Sequence, residues 1–188
     1  MTDLNCTTDS TVWVIGASSG IGRALVDALV AKGNFVICSA RRKEKLCELA
    51  SKYGQKVKPI TLDVGDTQSF EDAMAEMKTV TDYLDCVIFC AGVCEYEDNF
   101  TFDPASYERT FNTNTLGAIR ALHFTKPLLE KSQHGPRFVA VGSLSSVIPF
   151  PRAEAYGASK AALEYFIKAC HVDRKASKVA VSLVRPGF

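Results

Sequence analysis

Residues 12–22 read VWVIGASSGIG, an apolar run that passes directly into a glycine-rich segment. The run over residues 12–15 is typical of a buried β-strand, and the apolar residues from Ile21 to Leu29 recur with the spacing of an amphipathic helix. A glycine turn between a strand and a helix aims backbone N–H groups at one point, where a pyrophosphate can approach closely. This stretch therefore predicts a strand, a phosphate-binding turn and a helix. A glycine turn that serves only packing is the alternative.

Five further apolar runs, separated by helical patterns, extend this unit along the chain. The predicted strands cover residues 12–15, 35–40, 57–62, 86–90, 138–141 and 179–184. After the first helix, the predicted helices cover residues 43–52, 67–78, 107–131 and 154–174, with Pro127 as a point where the third of these bends. Strands that are apolar on both faces and alternate with helices indicate a parallel sheet covered on both sides. We predict an α/β, doubly wound, Rossmann-like sheet of strand order 3-2-1-4-5-6 in a single domain over residues 1–188, with its functional site at the carboxyl ends of the strands.

The composition narrows the possible partners and location. The 188 residues are 47% hydrophobic and 23% charged with a net charge of +1, so no overall field attracts nucleic acid or a membrane. Seven cysteines without a CxxC pair indicate free, buried thiols in a reducing compartment. Cys86, Cys90 and Cys94 lack a neighbouring histidine, so we expect no metal site. The polar N-terminus and the absence of a membrane-length apolar run predict a cytoplasmic protein.

The end of the second predicted strand indicates which dinucleotide is bound. An NAD site typically places a carboxylate there to accept a hydrogen bond from the ribose 2′-hydroxyl, whereas this chain has Ala40, Arg41 and Arg42. Two guanidinium groups suit a 2′-phosphate, so the sequence favours NADP(H). Arg41, nearest the strand end, is the preferred contact, and Arg42 has a solvated helix start as its alternative. Asp63, at the end of the third strand, either accepts a hydrogen bond from the adenine amino group or caps the next helix, whereas for Asp66 the helix cap is the preferred interpretation.

Three residues in the C-terminal half form a possible catalytic group. Tyr156 and Lys160 are four residues apart on a predicted helix, so both side chains project from one face. Ser143 follows the fifth predicted strand, at the edge of the sheet where a crevice is expected. A tyrosine that only packs in the core is the alternative for Tyr156. A serine hydrolase is disfavoured because the chain lacks a Gly-x-Ser-x-Gly elbow.

Taken together, these motifs resemble the short-chain dehydrogenase/reductase family over nearly the whole chain. The matching elements, in order, are Gly16-x-x-x-Gly20-x-Gly22, Asp63, Ala91-Gly92, Asn114, Ser143, Tyr156-x-x-x-Lys160 and Pro186-Gly187. The glycine spacing is that of the short type of the family, because extended relatives usually carry Gly-x-x-Gly-x-x-Gly. The resemblance implies a hydride transfer between a nicotinamide cofactor and a small-molecule carbonyl or alcohol.

The resemblance also implies roles for the catalytic residues. Tyr156 is expected to be the general acid for carbonyl reduction and the base for alcohol oxidation. Lys160 is expected to stabilise the phenolate and to bind the nicotinamide ribose. Ser143 is expected to orient the substrate oxygen, and we interpret Ser145 and Ser146 as loop residues.

Asn114 matches the family asparagine that holds a proton-relaying water near the lysine, and Asn112 is the competing assignment.

The remaining contacts that the resemblance implies are with the cofactor. The expected cofactor-binding set is Gly16, Ser18, Ser19, Gly20, Ile21, Gly22, Arg41, Arg42, Asp63, Val64, Ala91, Gly92, Tyr156, Lys160, Pro186 and Gly187.

The chain departs from the family pattern at three places. Ile15 replaces a threonine that is common before the first glycine, and Phe89 with Cys90 replaces the usual asparagine pair before Ala91-Gly92. The sequence also stops at Phe188, directly after Pro186-Gly187. Since family members continue further, we expect a C-terminally incomplete domain that lacks the last strand and the substrate lid.

Two hypotheses of function follow. The leading one is an NADP(H)-dependent oxidoreductase that interconverts a carbonyl and a secondary alcohol and, as the family implies, forms a homodimer or homotetramer through the helices around residues 107–131 and 154–174. The alternative is a truncated, non-catalytic NADP-binding protein, or one that acts only by pairing with an intact homologue.

Overall fold

A computed structural model describes residues 8–98, 100–173 and 177–187. Its strands form one six-stranded parallel sheet of order β3-β2-β1-β4-β5-β6, which confirms the predicted topology. The strands are β1 (Thr11–Ile15), β2 (Phe35–Ala40), β3 (Val57–Thr61), β4 (Cys86–Phe89), β5 (Arg137–Val141) and β6 (Ala180–Val184). The helices are α1 (Gly20–Ala31), α2 (Lys43–Tyr53), α3 (Thr67–Met77), α4 (Pro104–Phe111), α5 (Gly117–Leu129) and α6 (Glu154–Asp173).

The central strand β1 is buried on both faces. Trp13 and Ile15 belong to a cluster with apolar residues of α3, α5 and α6, whereas Val12 and Val14 pack with apolar residues of α1 and α2. The indole N–H of Trp13 donates to the Ser39 hydroxyl on β2 at 2.8 Å. Helices therefore cover both faces, as the unbroken apolar pattern of a parallel strand requires.

The reversal of strand order at β1 positions the site. The chain winds outward from β1 through β2 to β3 and then crosses back to β4 on the other side of β1. The connections after β1 and β4 consequently diverge, and a crevice opens between them at the carboxyl ends of the strands.

The long helix predicted over residues 107–131 is interrupted. It begins earlier, at Pro104, and a π-helical turn over Asn112–Leu116 separates α4 from α5. The irregular turn thus lies well before Pro127, which sits near the end of α5. A π-helical turn inserts an extra residue and redirects the side chains that follow, and such turns often occur at functional sites.

The other boundaries differ from the predictions by a residue or so. The predicted helix end at Arg174 lies outside the described residues, and α6 extends to Asp173. Across the described ranges, no helix has the length and apolarity needed to cross a membrane.

Candidate active site

A cavity of about 510 Å³ opens at the carboxyl ends of the first four strands. It brings together most of the predicted cofactor-binding residues, which follow β1, β2, β3 and β4 in separate stretches of the chain. These residues are Gly16, Ser18, Ser19, Gly20, Ile21, Gly22, Arg41, Arg42, Asp63, Val64, Ala91 and Gly92. The rest of the lining comprises Ile15, Ala40, Leu62, Cys90, Val93, Thr113 and Val141.

The glycine turn forms one wall of this cavity through its backbone. The N–H groups of Gly16 and Ala17 donate to the Ser39 carbonyl at 2.7 and 2.9 Å, which fixes the start of the turn on β2. Gly16 has φ +95°, and a Cβ there would lie 2.5 Å from the backbone nitrogen of Ala91. A Cβ on Gly22 would overlap the Gly16 carbonyl. Both positions therefore require glycine for close backbone approach.

The N-terminus of α1 faces this turn without a side-chain cap. Ser19 is the capping residue, but its side chain makes no hydrogen bond to the helix, and the first turn carries no acidic residue. The first N–H groups of a helix lack intrahelical partners and favour an anion. The turn therefore has the donor geometry of a phosphate site.

The two arginines after β2 are exposed at the cavity edge, but their contacts differ. The Arg42 guanidinium donates to the Ser18 and Ser19 hydroxyls at 3.0 and 3.3 Å. The sequence ranks Arg41 first, whereas this contact ties Arg42 to the glycine turn. The buried Ala40 precedes both arginines, where an NAD site typically has a carboxylate.

Asp63 and Asp66 have different local partners. The Asp63 carboxylate accepts the Gly65 N–H at 2.9 Å and lines the cavity. The Asp66 carboxylate accepts the Gln68 N–H at 3.0 Å and caps α3, which confirms the cap predicted for Asp66. Only the first carboxylate is therefore placed to meet a ligand in this cavity.

Tyr156 and Lys160 lie together on α6, as their spacing predicts. The Lys160 nitrogen is 5.8 Å from the centre of the Tyr156 ring and donates to the Val141 carbonyl at 2.9 Å. Lys160 is almost completely buried, and this burial lowers the pKa of its ammonium group to about 8. A Cβ built on Gly92 would lie 3.4 Å from the Lys160 nitrogen, so the lysine reaches the cavity edge.

Asn114 is buried, and protein groups hold its side chain. Its amide oxygen accepts the Val93 N–H at 2.8 Å, and its amide nitrogen donates to the Val93 carbonyl and the Ser159 hydroxyl, both at 2.9 Å. Asn112, the competing assignment, donates instead to the Gly65 carbonyl. Asn114 therefore joins the segment after β4 to the helix that carries Tyr156.

Ser143 begins a single 3₁₀ turn over Leu144–Ser146. Its hydroxyl oxygen accepts the Ser145 N–H at 3.2 Å and the Ser145 hydroxyl at 2.8 Å. Four residues of the predicted cofactor-binding set do not line the cavity: Pro186 and Gly187, which follow β6, and Tyr156 and Lys160 on α6. The Gly142 N–H donates to the Val184 carbonyl at 2.8 Å, so the ends of β5 and β6 remain paired just before Ser143.

Sequence reasoning missed two buried polar residues of α6. Ser159 receives the Asn114 amide and donates to the Tyr156 carbonyl at 2.8 Å. Glu164 binds Arg185 and Ser146. Their only signal in the sequence is that they share the helix of Tyr156 and Lys160, and polar residues on a helix are otherwise typical of a solvated face.

The cysteines are more varied than predicted. Among the described residues, all six are free thiols, but Cys47 and Cys94 are exposed, which corrects the expectation of buried thiols. Burial raises the pKa of Cys38, Cys86 and Cys90 to about 12. Within the described ranges, no group of three or more His, Cys, Asp or Glu side chains could hold a metal ion.

Comparison with known proteins identifies the family. A family model described as short chain dehydrogenase matches residues 10–188. The chain belongs to the short-chain dehydrogenase family. The resemblance inferred from the motifs is thereby confirmed.

Several characterised members of the short-chain dehydrogenase family are similar to this chain. Sulfoacetaldehyde reductase 2 of Chromohalobacter salexigens is 30% identical over 180 residues, which span 94% of this chain and 71% of that protein. The NADP-dependent 3-hydroxy acid dehydrogenase YdfG of Escherichia coli K12 is 26% identical over 178 residues, again 94% and 71%. Among solved structures, a closed form of serine dehydrogenase complexed with NADP+ is 25% identical with a TM-score of 0.88, covering 95% of this chain and 72% of that one.

Proposed function

We propose that this short-chain dehydrogenase is an NADP(H)-dependent oxidoreductase that interconverts a carbonyl and a secondary alcohol, with Tyr156 as acid and base. The observation that carries the proposal is the position of Lys160. Its buried ammonium group lies 5.8 Å from the centre of the Tyr156 ring and close to Gly92, which lines the cavity beside the glycine turn. Lys160 is therefore close both to Tyr156, the proposed acid/base side chain, and to the cavity that the glycine turn lines.

The cavity residues fit a dinucleotide phosphate. The turn at Gly16 and Gly22 leaves no room for a Cβ, so backbone N–H groups can approach a pyrophosphate directly. Arg42 with Ser18 offers charge-assisted and hydroxyl donors for a 2′-phosphate, and Asp63 would accept from the adenine amino group. Two relatives are named or described with NADP, which supports the same cofactor for this chain.

Each residue of the site then has a separate role in the proposed reaction. When bound, the cofactor supplies or accepts the hydride. The Tyr156 hydroxyl donates a proton to the carbonyl oxygen during reduction and recovers it during oxidation. The Lys160 ammonium stabilises the phenolate form of Tyr156, because a nearby opposite charge favours the ionised state.

Ser143 and Asn114 support this step in different ways. Ser143 accepts both of its observed hydrogen bonds, so its own hydroxyl hydrogen can point to a substrate oxygen. Asn114 bonds to Val93 and Ser159, and thereby fixes α6 against the cavity edge. Ser143 therefore orients the substrate oxygen towards Tyr156, while Asn114 keeps the helix of Tyr156 and Lys160 in place.

The names of the relatives indicate which substrates to test first. They are described as acting on sulfoacetaldehyde, 3-hydroxy acids and serine, which are small and polar. We therefore propose small polar aldehydes and ketones as the first panel for this chain.

A fluorescence titration combined with a turnover assay tests the proposal. The full chain is first titrated with NADPH and with NADH. Turnover is then measured with the panel of polar carbonyls as substrates, and NADPH oxidation is followed at about 340 nm, where the reduced nicotinamide absorbs. Saturable NADPH binding with turnover of a panel member supports an oxidoreductase. Binding without turnover of any member would instead favour the non-catalytic alternative.

We also propose a cytoplasmic homodimer or homotetramer assembled through α5 and α6. Tyr165 and Val172 are 78% and 77% exposed and lie seven residues apart on α6, so this helix presents two large apolar side chains on one face for contact with another chain. Light scattering coupled to size exclusion measures the assembly directly. A monomer at micromolar concentration would contradict this proposal.

A further inference from the structure

Glu164 is a buried carboxylate that the catalytic scheme above leaves unused. It lies on α6 one helical turn beyond Lys160, and its side chain is only 6% exposed. The Arg185 guanidinium binds both of its oxygens, with Nε at 2.8 Å from Oε2. The Lys168 ammonium lies 2.7 Å from Oε1, and the Ser146 hydroxyl donates to Oε2 at 2.6 Å.

This arrangement satisfies a charge that would otherwise be costly to bury. An uncompensated buried carboxylate is strongly destabilising, whereas a paired and hydrogen-bonded one is tolerated and fixes geometry. The contacts of Arg185, Lys168 and Ser146 hold the pKa of Glu164 well below its usual range. The carboxylate therefore stays ionised and keeps these partners throughout the neutral pH range.

Two of these partners belong to segments that carry predicted site residues. Ser146 closes the 3₁₀ turn that Ser143 begins, and its hydroxyl also lies 2.8 Å from the Ser143 carbonyl. Arg185 directly precedes Pro186-Gly187 at the end of β6. Glu164 thus links the loop after β5 and the segment after β6 to the helix of Tyr156 and Lys160.

A second contact shows how closely the serine loop lies against this helix. A Cβ on Gly157 would be 3.1 Å from the Ser145 carbonyl oxygen. The loop is therefore fixed on α6 at two points, near Tyr156 through Gly157 and farther along through Glu164. A change at the second point would let Ser143 shift relative to Tyr156.

We propose that Glu164 is a positioning residue that sets Ser143 and the Pro186-Gly187 segment against Tyr156. Its carboxylate holds the serine loop on the helix that carries the tyrosine, and its ion pair with Arg185 fixes the segment after β6 on the same helix. The catalytic consequence of this inference rests on the proposed function. The coupling of the loop to the helix is a property of the fold and can be measured separately.

The test compares Glu164→Gln with a matched variant elsewhere. Glu48→Gln on α2 is the control, because Glu48 also binds two cations, Arg23 and Lys45, but lies on the surface away from α6. Ser146→Ala is the second variant. It removes the link between Glu164 and the loop, together with the contact of the Ser146 hydroxyl with the Ser143 carbonyl. It leaves the Glu164–Arg185 ion pair, so it remains informative if Glu164→Gln fails to fold.

Three quantities are measured on each variant of the full chain. Misplacing a reacting group by about 1 Å can cost about a hundredfold in rate, so we expect kcat to fall about ten- to hundredfold in Glu164→Gln and less in Ser146→Ala. The dissociation constant for NADPH should change less than kcat, since the glycine turn is untouched and only the predicted contact of Pro186-Gly187 with the cofactor is affected. Amide hydrogen exchange over residues 143–148 should accelerate in both variants and stay unchanged in Glu48→Gln.

The outcomes separate this inference from the proposed function. Unchanged kcat with unchanged loop exchange in both variants would overturn the positioning role, and so would a lower melting temperature accompanied by normal kcat. If the unmodified protein reduces no carbonyl at all, the proposed function fails. Loop exchange alone then decides whether Glu164 positions Ser143: faster exchange supports it and unchanged exchange refutes it.

Discussion

Around the glycine turn, backbone geometry forms the site, whereas around Tyr156 and Lys160 the site depends on hydrogen bonds between groups distant in sequence. At the turn, Gly16 and Gly22 bring main chain against main chain. On the catalytic side, Asn114 bonds to Val93 and Ser159, and Glu164 joins Ser146 to Arg185. The cofactor half of the site, around the glycine turn, should therefore be intolerant of added side-chain atoms. The catalytic half, around Tyr156 and Lys160, should be intolerant of the loss of polar groups.

The largest expected effect concerns the catalytic half. In Tyr156→Phe, kcat for carbonyl reduction should fall about 10²–10⁴-fold, because the ring keeps its packing but loses the proton that it transfers. The affinity for NADPH should fall far less than kcat, because the glycine turn is untouched and only the predicted contact of the Tyr156 hydroxyl with the cofactor is lost. Stopped-flow turnover and NADPH titration measure the two quantities.

Tyr83→Phe is the matched control for this prediction. Tyr83 is exposed and lies between α3 and β4, just before the start of β4 and therefore away from the carboxyl ends of the strands, and the same hydroxyl is removed. Its kcat should equal that of the unmodified protein. Equal activity of Tyr156→Phe and Tyr83→Phe would contradict the assignment of Tyr156.

The next effect concerns the backbone of the cofactor half. In Gly16→Ala, the new Cβ meets the Ala91 backbone at 2.5 Å in addition to the positive φ. Gly54→Ala shares the positive φ but meets open space, so it reports the backbone strain alone. We expect Gly16→Ala to lower the free energy of unfolding by at least about 2 kcal/mol more than Gly54→Ala, the usual cost of overpacking, and to weaken NADPH binding.

Urea unfolding of both variants measures this difference. A Gly16→Ala protein that is as stable as Gly54→Ala and binds NADPH normally would show that the turn has room to adjust. The cofactor half would then not depend on close contact between main-chain segments.

A smaller effect concerns the choice of cofactor. Arg42→Ala removes the guanidinium that donates to Ser18 and Ser19. Hydrogen bonds to charged groups contribute about 1.5–3 kcal/mol, so NADPH affinity should fall about ten- to a hundredfold while NADH affinity stays the same. Arg23→Ala, which removes a half-buried arginine paired with Glu48, should change neither. An equal loss for both cofactors would contradict a 2′-phosphate contact.

The difference between the two halves also explains what the sequence could predict. The β1–turn–α1 unit depends on local features, namely a strand period and glycines at a fixed spacing, so residues 12–22 were sufficient to predict it. Most of the other strands were predictable in the same way from their apolar residues, whereas their order follows from the doubly wound topology and not from any local pattern. The π-helical turn at Asn112–Leu116 was missed, since its extra residue accompanies side-chain bonds to Gly65 and Val93 that no local pattern records.

On the catalytic side, the residue types were predictable but their supports were not. Tyr156 and Lys160 share one face by helix geometry alone. Ser159 and Glu164 on the same helix are indistinguishable from solvated residues in the sequence. Their burial depends on distant partners, Asn114 for Ser159 and the loop after β5 with the end of β6 for Glu164. The ranking of Arg41 above Arg42 used proximity to the strand end, whereas the contact with Ser18 depends on the direction of the side chain.

The smallest expected effect, a pH dependence, involves the one lysine that both halves share. Burial lowers the pKa of Lys160 to about 8 from its ordinary 10.5, so the ammonium loses its proton as pH rises through about 8. Reduction that needs this charge should therefore decline by up to about tenfold per pH unit above 8 in kcat/KM. Between pH 8 and 10.5 the unfolded chain binds more protons at this residue than the folded chain does, so the contribution of Lys160 to stability rises as activity falls. The control is Lys126→Met, at an exposed lysine paired with Glu130, which should show the same pH profile as the unmodified protein. If kcat/KM of the unmodified protein stays flat from pH 7 to about 9.5, a role for the Lys160 charge is contradicted.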